Sequence, residues 1–156
     1  MKRVLFVCLG NICRSPLAEG LFKETISDLR RSHEFEIDSC GTNGFHDGES
    51  PDIRTRNNAR QHGLILEHQS RQIKARDFVY FDHIYVMDEN NLRTVRQLCP
   101  SEHQHKIQKI RDFDSIQKGG DVEDPWYGGD EGFETTYQTL LRCTRSLAQE
   151  LLTNRG

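Results

Sequence analysis

Cys8 and Arg14 stand six positions apart in the stretch CLGNICRSP, residues 8–16, with Gly10, Asn11, Cys13 and Ser15 beside them. A thiol attacks as its thiolate, and a helix N-terminus or a neighbouring cation favours that form. Gly and Asn tolerate left-handed backbone, so Gly10 and Asn11 suit a sharp turn. Such a turn aims successive N–H groups inward and makes an anion-binding nest. Arg14 adds a planar fork that holds two oxygens of a tetrahedral anion at once. The set suits nucleophilic attack on a bound oxyanion, with Cys8 at the floor of a positive bowl. Cys-x5-Arg alone is short and degenerate. Its weight comes from where the chain puts it.

That place is set by the flanking elements. Val4 to Val7 is a continuous β-branched and aromatic run, as expected of a strand covered on both faces. Ser15-Pro16 reads as a helix start with Pro at the first helical position. Leu17, Leu21, Phe22, Ile26 and Leu29 then share one helical face. Further strands are expected at Phe35–Ile37, His83–Met87 and, more weakly, Lys106–Ile110. Ser50-Pro51 opens another helix that Gly63 closes, and Asp88 caps a helix carrying Leu92, Val95 and Leu98. The clearest helix comes last, with Phe133, Tyr137, Leu140, Leu141, Thr144, Leu147 and Leu151 in one stripe. Strands and helices alternate, which predicts an α/β fold: a doubly wound, four-stranded parallel sheet with helices on both faces in three layers. Ligands of such folds sit at the C-terminal ends of strands beside helix N-termini, where Cys8 falls.

Composition narrows the function classes. The length of 156 residues fits a single domain, 1–156, with a core that needs no disulfide staples. A formal charge of -3 argues against a general nucleic-acid or membrane binder. No stretch approaches the ~20 apolar residues that span a bilayer. The start MKRVLFVCLG has a charged end and a short apolar run, but it lacks a small-residue cleavage pattern and fits a first strand better. Five cysteines is an odd count, so a reducing cytoplasm is expected rather than a disulfide framework. No Gly-x-x-x-x-Gly-Lys-Ser/Thr loop is present. Cys8 and Cys13 have no second Cys/His pair at zinc-finger spacing, so no metal and no cofactor is expected.

The stretch Cys8-Leu9-Gly10-Asn11-Ile12-Cys13-Arg14-Ser15-Pro16 resembles the phosphate loop of the low-molecular-weight protein tyrosine phosphatases. The resemblance runs over nearly the whole chain: Ile37-Asp38-Ser39, Ser50-Pro51-Asp52, Arg71-Gln72-Ile73, Asp77-Phe78, Val86-Met87-Asp88 and Asp124-Pro125-Trp126-Tyr127-Gly128. It implies a flavodoxin-like strand order. It also implies that Leu9, Gly10, Asn11, Ile12, Cys13, Arg14 and Ser15 bind the phosphate.

The residues alone leave GGDVEDPWYGGDEG open between an acidic surface loop and one that carries a general acid. Pro125 holds Asp124 in an extended turn, and the resemblance assigns the acid to Asp124. It implies that Phe45, Trp126 and Tyr127 wall the pocket against a flat ring, and that Asn11, Ser15, Ser39 and His68 brace the loop. It implies that Cys13 can form a reversible disulfide with Cys8. Cys40, Cys99 and Cys143 read as structural, and Asp88 as no more than a cap. Arg54, Arg56 and Arg60, with Arg71, Lys74 and Arg76, read as solvated basic clusters.

The expected activity is metal-independent hydrolysis of phosphotyrosine through a phosphocysteine. Partners would be phosphotyrosine proteins or small aryl phosphates, with inorganic phosphate as product and no nucleic acid or membrane. A monomer or weak dimer is expected. Thioredoxin-coupled arsenate reduction is a competing reading, but Cys99 lacks a second cysteine a short way along the chain. A phosphoarginine phosphatase is a nearer one, and Ile12 favours an aryl phosphate over it. A non-catalytic phosphopeptide binder would not need Cys8, Arg14 and Asp124 together.

Overall fold

Val4, Leu5, Phe6 and Val7 are completely buried and form the middle of the central strand of a parallel sheet. The computed structural model describes residues 1–153, apart from the side chain of Tyr127. The strands are β1 (Lys2–Cys8), β2 (Phe35–Gly41), β3 (His83–Val86) and β4 (Ile107–Lys109), in the order β2-β1-β3-β4. The helices are α1 (Arg14–Asp28), α2 (Ile53–Gln61), α3 (Ala75–Tyr80), α4 (Glu89–Leu98) and α5 (Gly129–Thr153). Both neighbours of β1 run parallel to it, with Leu5 in register with Asp38 and with Ile84.

The side-chain alternation of β1 divides the core in two. Val4, Phe6 and Cys8 join Leu17, Leu21 and Phe22 of α1 and Leu140 and Leu147 of α5. Leu5 and Val7 join Phe78 of α3 and Leu92 and Val95 of α4. Each large apolar side chain so buried contributes ~1.5–3 kcal/mol, which is why this strand needs no polar alternation. Cys143 belongs to the first cluster and Cys40 and Cys99 to the second, as buried free thiols.

Several boundaries differ from expectation. The helix expected to begin at Pro16 begins two residues earlier, at Arg14, so Pro16 is the third residue of α1. It remains in the first turn, where a missing N–H costs no helical bond. The helix expected after Ser50-Pro51 begins at Ile53, with Asp52 as its cap: Oδ1 accepts from the Arg54 N–H at 2.8 Å. β2 runs on to Gly41 rather than ending at Ile37, because its whole length pairs with β1. α3 was not expected; the Asp77 carboxylate accepts from the Lys74 N–H at 2.7 Å and closes its first turn.

Candidate active site

β1 ends at Cys8, and the chain turns through residues 9–13 before α1 begins. Asn11 takes the left-handed conformation, with φ 58°, while Gly10 does not. The loop carbonyls are tied outward. Cys8 O accepts from Thr42 N–H at 2.9 Å, Leu9 O from Asn43 N–H at 3.1 Å and Ile12 O from Asp52 N–H at 2.8 Å. Asn11 O accepts from the Ser70 hydroxyl at 2.6 Å. With the carbonyls held outside, the N–H groups of Gly10, Ile12 and Cys13 bond no protein acceptor among the described residues. Gly41 lies against this curl: a Cβ there would sit 2.8 Å from the Leu9 carbonyl oxygen and 3.1 Å from the Asn11 nitrogen.

The Cys8 sulfur is buried under the loop. It lies 3.0 Å from the Ser15 hydroxyl and accepts from the Asn11 N–H at 3.3 Å. Asn11 Nδ2 donates to Ser15 Oγ at 2.8 Å and to Ser39 Oγ at 3.0 Å. Its Oδ1 accepts from Arg71 N–H at 3.1 Å and lies 2.8 Å from His68 Nε2. Ser39 donates to Glu19 Oε1 at 2.6 Å, and His68 Nδ1 faces that same oxygen at 3.3 Å. The residues expected to brace the loop therefore share one buried network. Glu19, which no motif marks in the sequence, anchors it from α1. The four-residue spacing from Ser15 was the available signal, since it puts both on one helix face.

Arg71 is also no solvated cation. Its guanidinium donates to both oxygens of Asp77 at 3.0 and 3.1 Å and to Asp38 at 3.1 Å, which locks α3 to β2 beside the loop.

Arg14 is only 3% exposed. Nη1 donates to Asp88 Oδ2 at 2.7 Å and to the Val122 carbonyl at 2.9 Å, while Nη2 lies 3.7 Å from Asp124 Oδ2. Burial would lower its pKa, but Cys8, Asp88 and Asp124 outweigh that and hold it above the ordinary value. Asp88 is thus more than the cap it was expected to be. Oδ1 accepts from Asn91 N–H at 2.7 Å at the start of α4, and Oδ2 holds Arg14.

Asp124 is exposed at the mouth, and its Oδ1 accepts from the Trp126 N–H at 3.1 Å. A cavity of about 210 Å³ lies between these groups, lined by Cys8, Ile12, Arg14, Phe45, Asp124 and Trp126 among others. Phe45 is 84% exposed and packs edge-on against His46, which also lines the cavity and was not anticipated. Leu9 is half exposed at the rim. The expected role of Tyr127 lies outside the described residues.

The two loop cysteines occupy different settings. Cys13 packs with Ile12 and Phe133, and burial pushes its thiol up to about 12. All five cysteines are free.

A family model described as low molecular weight phosphotyrosine protein phosphatase matches residues 3–155. The human low molecular weight phosphotyrosine protein phosphatase is 42% identical over 151 residues, covering 96% of this chain and 95% of that one. A crystal structure of a protein tyrosine phosphatase from Entamoeba histolytica, with Hepes in its active site, superposes with a TM-score of 0.94. It is 36% identical and covers 97% of each chain. A Drosophila arginine phosphatase superposes with a TM-score of 0.89 at 32% identity and covers 100% of both chains.

Proposed function

The chain belongs to the low molecular weight phosphotyrosine protein phosphatase family and is a protein-tyrosine-phosphatase; on that premise we propose that Cys8 is its nucleophile, Arg14 its phosphate clamp and Asp124 its general acid. Cys8 Sγ attacks phosphorus in line, the S–P bond forms and the P–O bond to the leaving group breaks. Asp124 Oδ2 gives its proton to the departing phenoxide oxygen. A water then attacks the phosphocysteine and passes a proton to the Asp124 carboxylate. The S–P bond breaks, and inorganic phosphate leaves.

The transition state is mainly a charge-stabilisation problem, which a fixed ring of donors solves without reorganising. The Arg14 guanidinium and the inward N–H groups of residues 9–14 hold the equatorial oxygens. The Ser15 hydroxyl at 3.0 Å stabilises the sulfur as it becomes a leaving group in the second step. Asn11, Ser39 and His68 hold the loop in this shape.

One observation carries the reading. A buried sulfur, the 3%-exposed Arg14 and the exposed Asp124 line one cavity at the end of the central strand. The substrates are phosphotyrosine proteins or small aryl phosphates, whose flat ring would lie between Phe45 and Trp126. The deciding experiment compares turnover of phosphotyrosine by wild type, Cys8→Ser and Asp124→Ala. Cys8→Ser is expected to abolish turnover while inorganic phosphate still binds, and a wild-type rate for that variant would overturn the scheme.

The likeness to an arginine phosphatase favours a second reading, phosphoarginine hydrolysis at the same site. Ile12 bears on it: its apolar side chain lines the cavity and suits an aryl ring better than a guanidinium. Side-by-side turnover of phosphotyrosine and phosphoarginine separates them. Arsenate reduction has less support. Cys99 packs in the cluster on the other side of the sheet from Cys8, at the far end of α4 from the site.

No helix among the described residues is long and apolar enough to cross a membrane. Five free thiols fit a reducing cytoplasm. The enzyme is expected to act as a monomer or weak dimer, which sedimentation would check.

A further inference from the structure

Arg54 was expected on a solvated face; its side chain is partly exposed, and its guanidinium lies against two aromatic rings. The guanidinium carbon lies 4.7 Å from the centre of the Trp126 ring and 4.8 Å from that of Phe133. Nη1 donates to the Trp126 carbonyl at 3.2 Å. Nε donates to Asp52 Oδ1 at 3.2 Å and Nη2 to Asp52 Oδ2 at 3.3 Å. The N–H of Asp52 in turn donates to the Ile12 carbonyl at 2.8 Å. One planar cation therefore joins two segments that share no chain connection nearby. On one side is the loop carrying Cys8, reached through Asp52 and Ile12. On the other is Trp126, whose N–H holds Asp124 Oδ1 at 3.1 Å.

We propose that Arg54 is a positioning residue for the general acid: it clamps the Asp124–Trp126 turn to the nucleophile loop and so fixes the Asp124 carboxyl relative to the leaving oxygen. The proposal rests on the assignment of Asp124 as the acid. The chemistry favours arginine in this place. Only a guanidinium can stack its face on two rings while its edge donates to a carboxylate and a carbonyl. A lysine would supply charge without the plane. The consequence is kinetic, because a proton transfer loses its advantage when the donor drifts by ~1 Å.

Trp126 is the single tryptophan in the chain, so its emission reports on the clamp directly. The experiment measures kcat for a series of aryl phosphates whose phenols range from acidic to weakly acidic. It uses wild type, Arg54→Gln and Arg54→Lys, each with and without Asp124→Ala, together with inhibition by inorganic phosphate and Trp126 emission. Arg54→Gln is expected to lose about tenfold in kcat on the poorest leaving group and little on the best. Phosphate inhibition should stay within about twofold of wild type, and the emission should shift. Arg54→Lys should fall between. In the Asp124→Ala background, Arg54→Gln should cost nothing further on the poorest leaving group.

An unchanged dependence on the leaving group would overturn the proposal. So would an equal loss in the Asp124→Ala background. Weakened phosphate binding in both Arg54 variants would also overturn it, since Arg54 would then support the phosphate loop rather than the acid. A wild-type rate for Asp124→Ala alone would instead overturn the acid assignment on which the clamp depends.

Discussion

Asp88 Oδ2 accepts from Arg14 Nη1 at 2.7 Å, while its Oδ1 accepts from the Asn91 N–H at 2.7 Å. One carboxylate thus fixes the Arg14 guanidinium, the proposed phosphate clamp, to the first turn of α4. The pairing spans 74 positions of sequence and is mostly buried. An arginine held this way needs no rearrangement when an anion arrives.

Asp88→Asn keeps an oxygen for one of these bonds and removes the charge. Arg14 should then lose its fixed direction while the helix cap survives. The expected outcome is a fall of about tenfold in kcat/KM and weaker inhibition by inorganic phosphate. The thermal midpoint should also fall, because the buried Arg14 loses its charged partner. Steady-state kinetics with phosphate titration checks it, and wild-type phosphate affinity would show that Asp88 is a cap alone.

Asn11 combines a left-handed backbone with a side chain bonded to Ser15 and Ser39. Two substitutions separate these roles. Asn11→Gly keeps the backbone and removes the side-chain bonds, so activity should fall about tenfold or more. Asn11→Ala removes the same bonds but, unlike glycine, keeps a Cβ in left-handed backbone, at a cost of ~1–2 kcal/mol relative to the glycine variant. The alanine variant should therefore melt below the glycine variant, and equal midpoints would contradict the account.

Asp114 ties α5 to the segment after β4. It accepts from Arg111 Nε at 2.8 Å, from Arg142 Nε at 3.2 Å and from Ile116 N–H at 3.0 Å. Burial alone would raise its pKa, but Arg142 and Arg111 hold the carboxyl well below the usual range. A carboxylate whose folded pKa is depressed stabilises the fold above its unfolded pKa of ~3.9, and that contribution fades as pH falls toward the folded value. Asp114→Asn should lower the Tm by about 5–10 °C at pH 7. The gap between variant and wild type should narrow below about pH 4. Melting curves from pH 3 to 8 test the sign.

The disulfide expected between Cys8 and Cys13 carries its own pH signature. Hydrogen peroxide would oxidise Cys8 to the sulfenic acid, and the Cys13 thiolate would attack that sulfur, forming S–S and releasing hydroxide. With its pKa near 12, the Cys13 thiolate is scarce at neutral pH. Disulfide formation should accelerate about tenfold per pH unit between pH 7 and 9. Mass spectrometry of the unreduced protein after timed peroxide exposure would show it. A pH-independent rate would contradict the role of the Cys13 thiolate.

What the sequence revealed followed locality. The VLFV run and the stripe of α5 are long or strongly patterned, so burial had already shaped their composition. The loop of the proposed nucleophile was legible because Cys8, Asn11 and Arg14 lie on one short curl between a strand and a helix. β2 was read too short because Asp38 and Ser39 interrupt its apolar pattern; Ser39 is inside to serve the Asn11 network rather than the core. α3 is six residues long, too short for a period to show. Asp88, Glu19 and Arg54 each have a bland local explanation, as cap, surface acid and basic cluster. Their partners are distant in sequence, and only folding brings them together. Asp124 stood out through resemblance, since its own neighbourhood is an ordinary acidic loop.

The central claim is that the Cys8 sulfur takes the phosphoryl group from the substrate. Rapid quenching during turnover of an aryl phosphate, followed by mass spectrometry of the peptides, tests it most directly. The account predicts a transient phosphate on Cys8 that forms and decays at rates competent for turnover, and none in Cys8→Ser. A phosphate on another residue, or full turnover with Cys8 never modified, would contradict it.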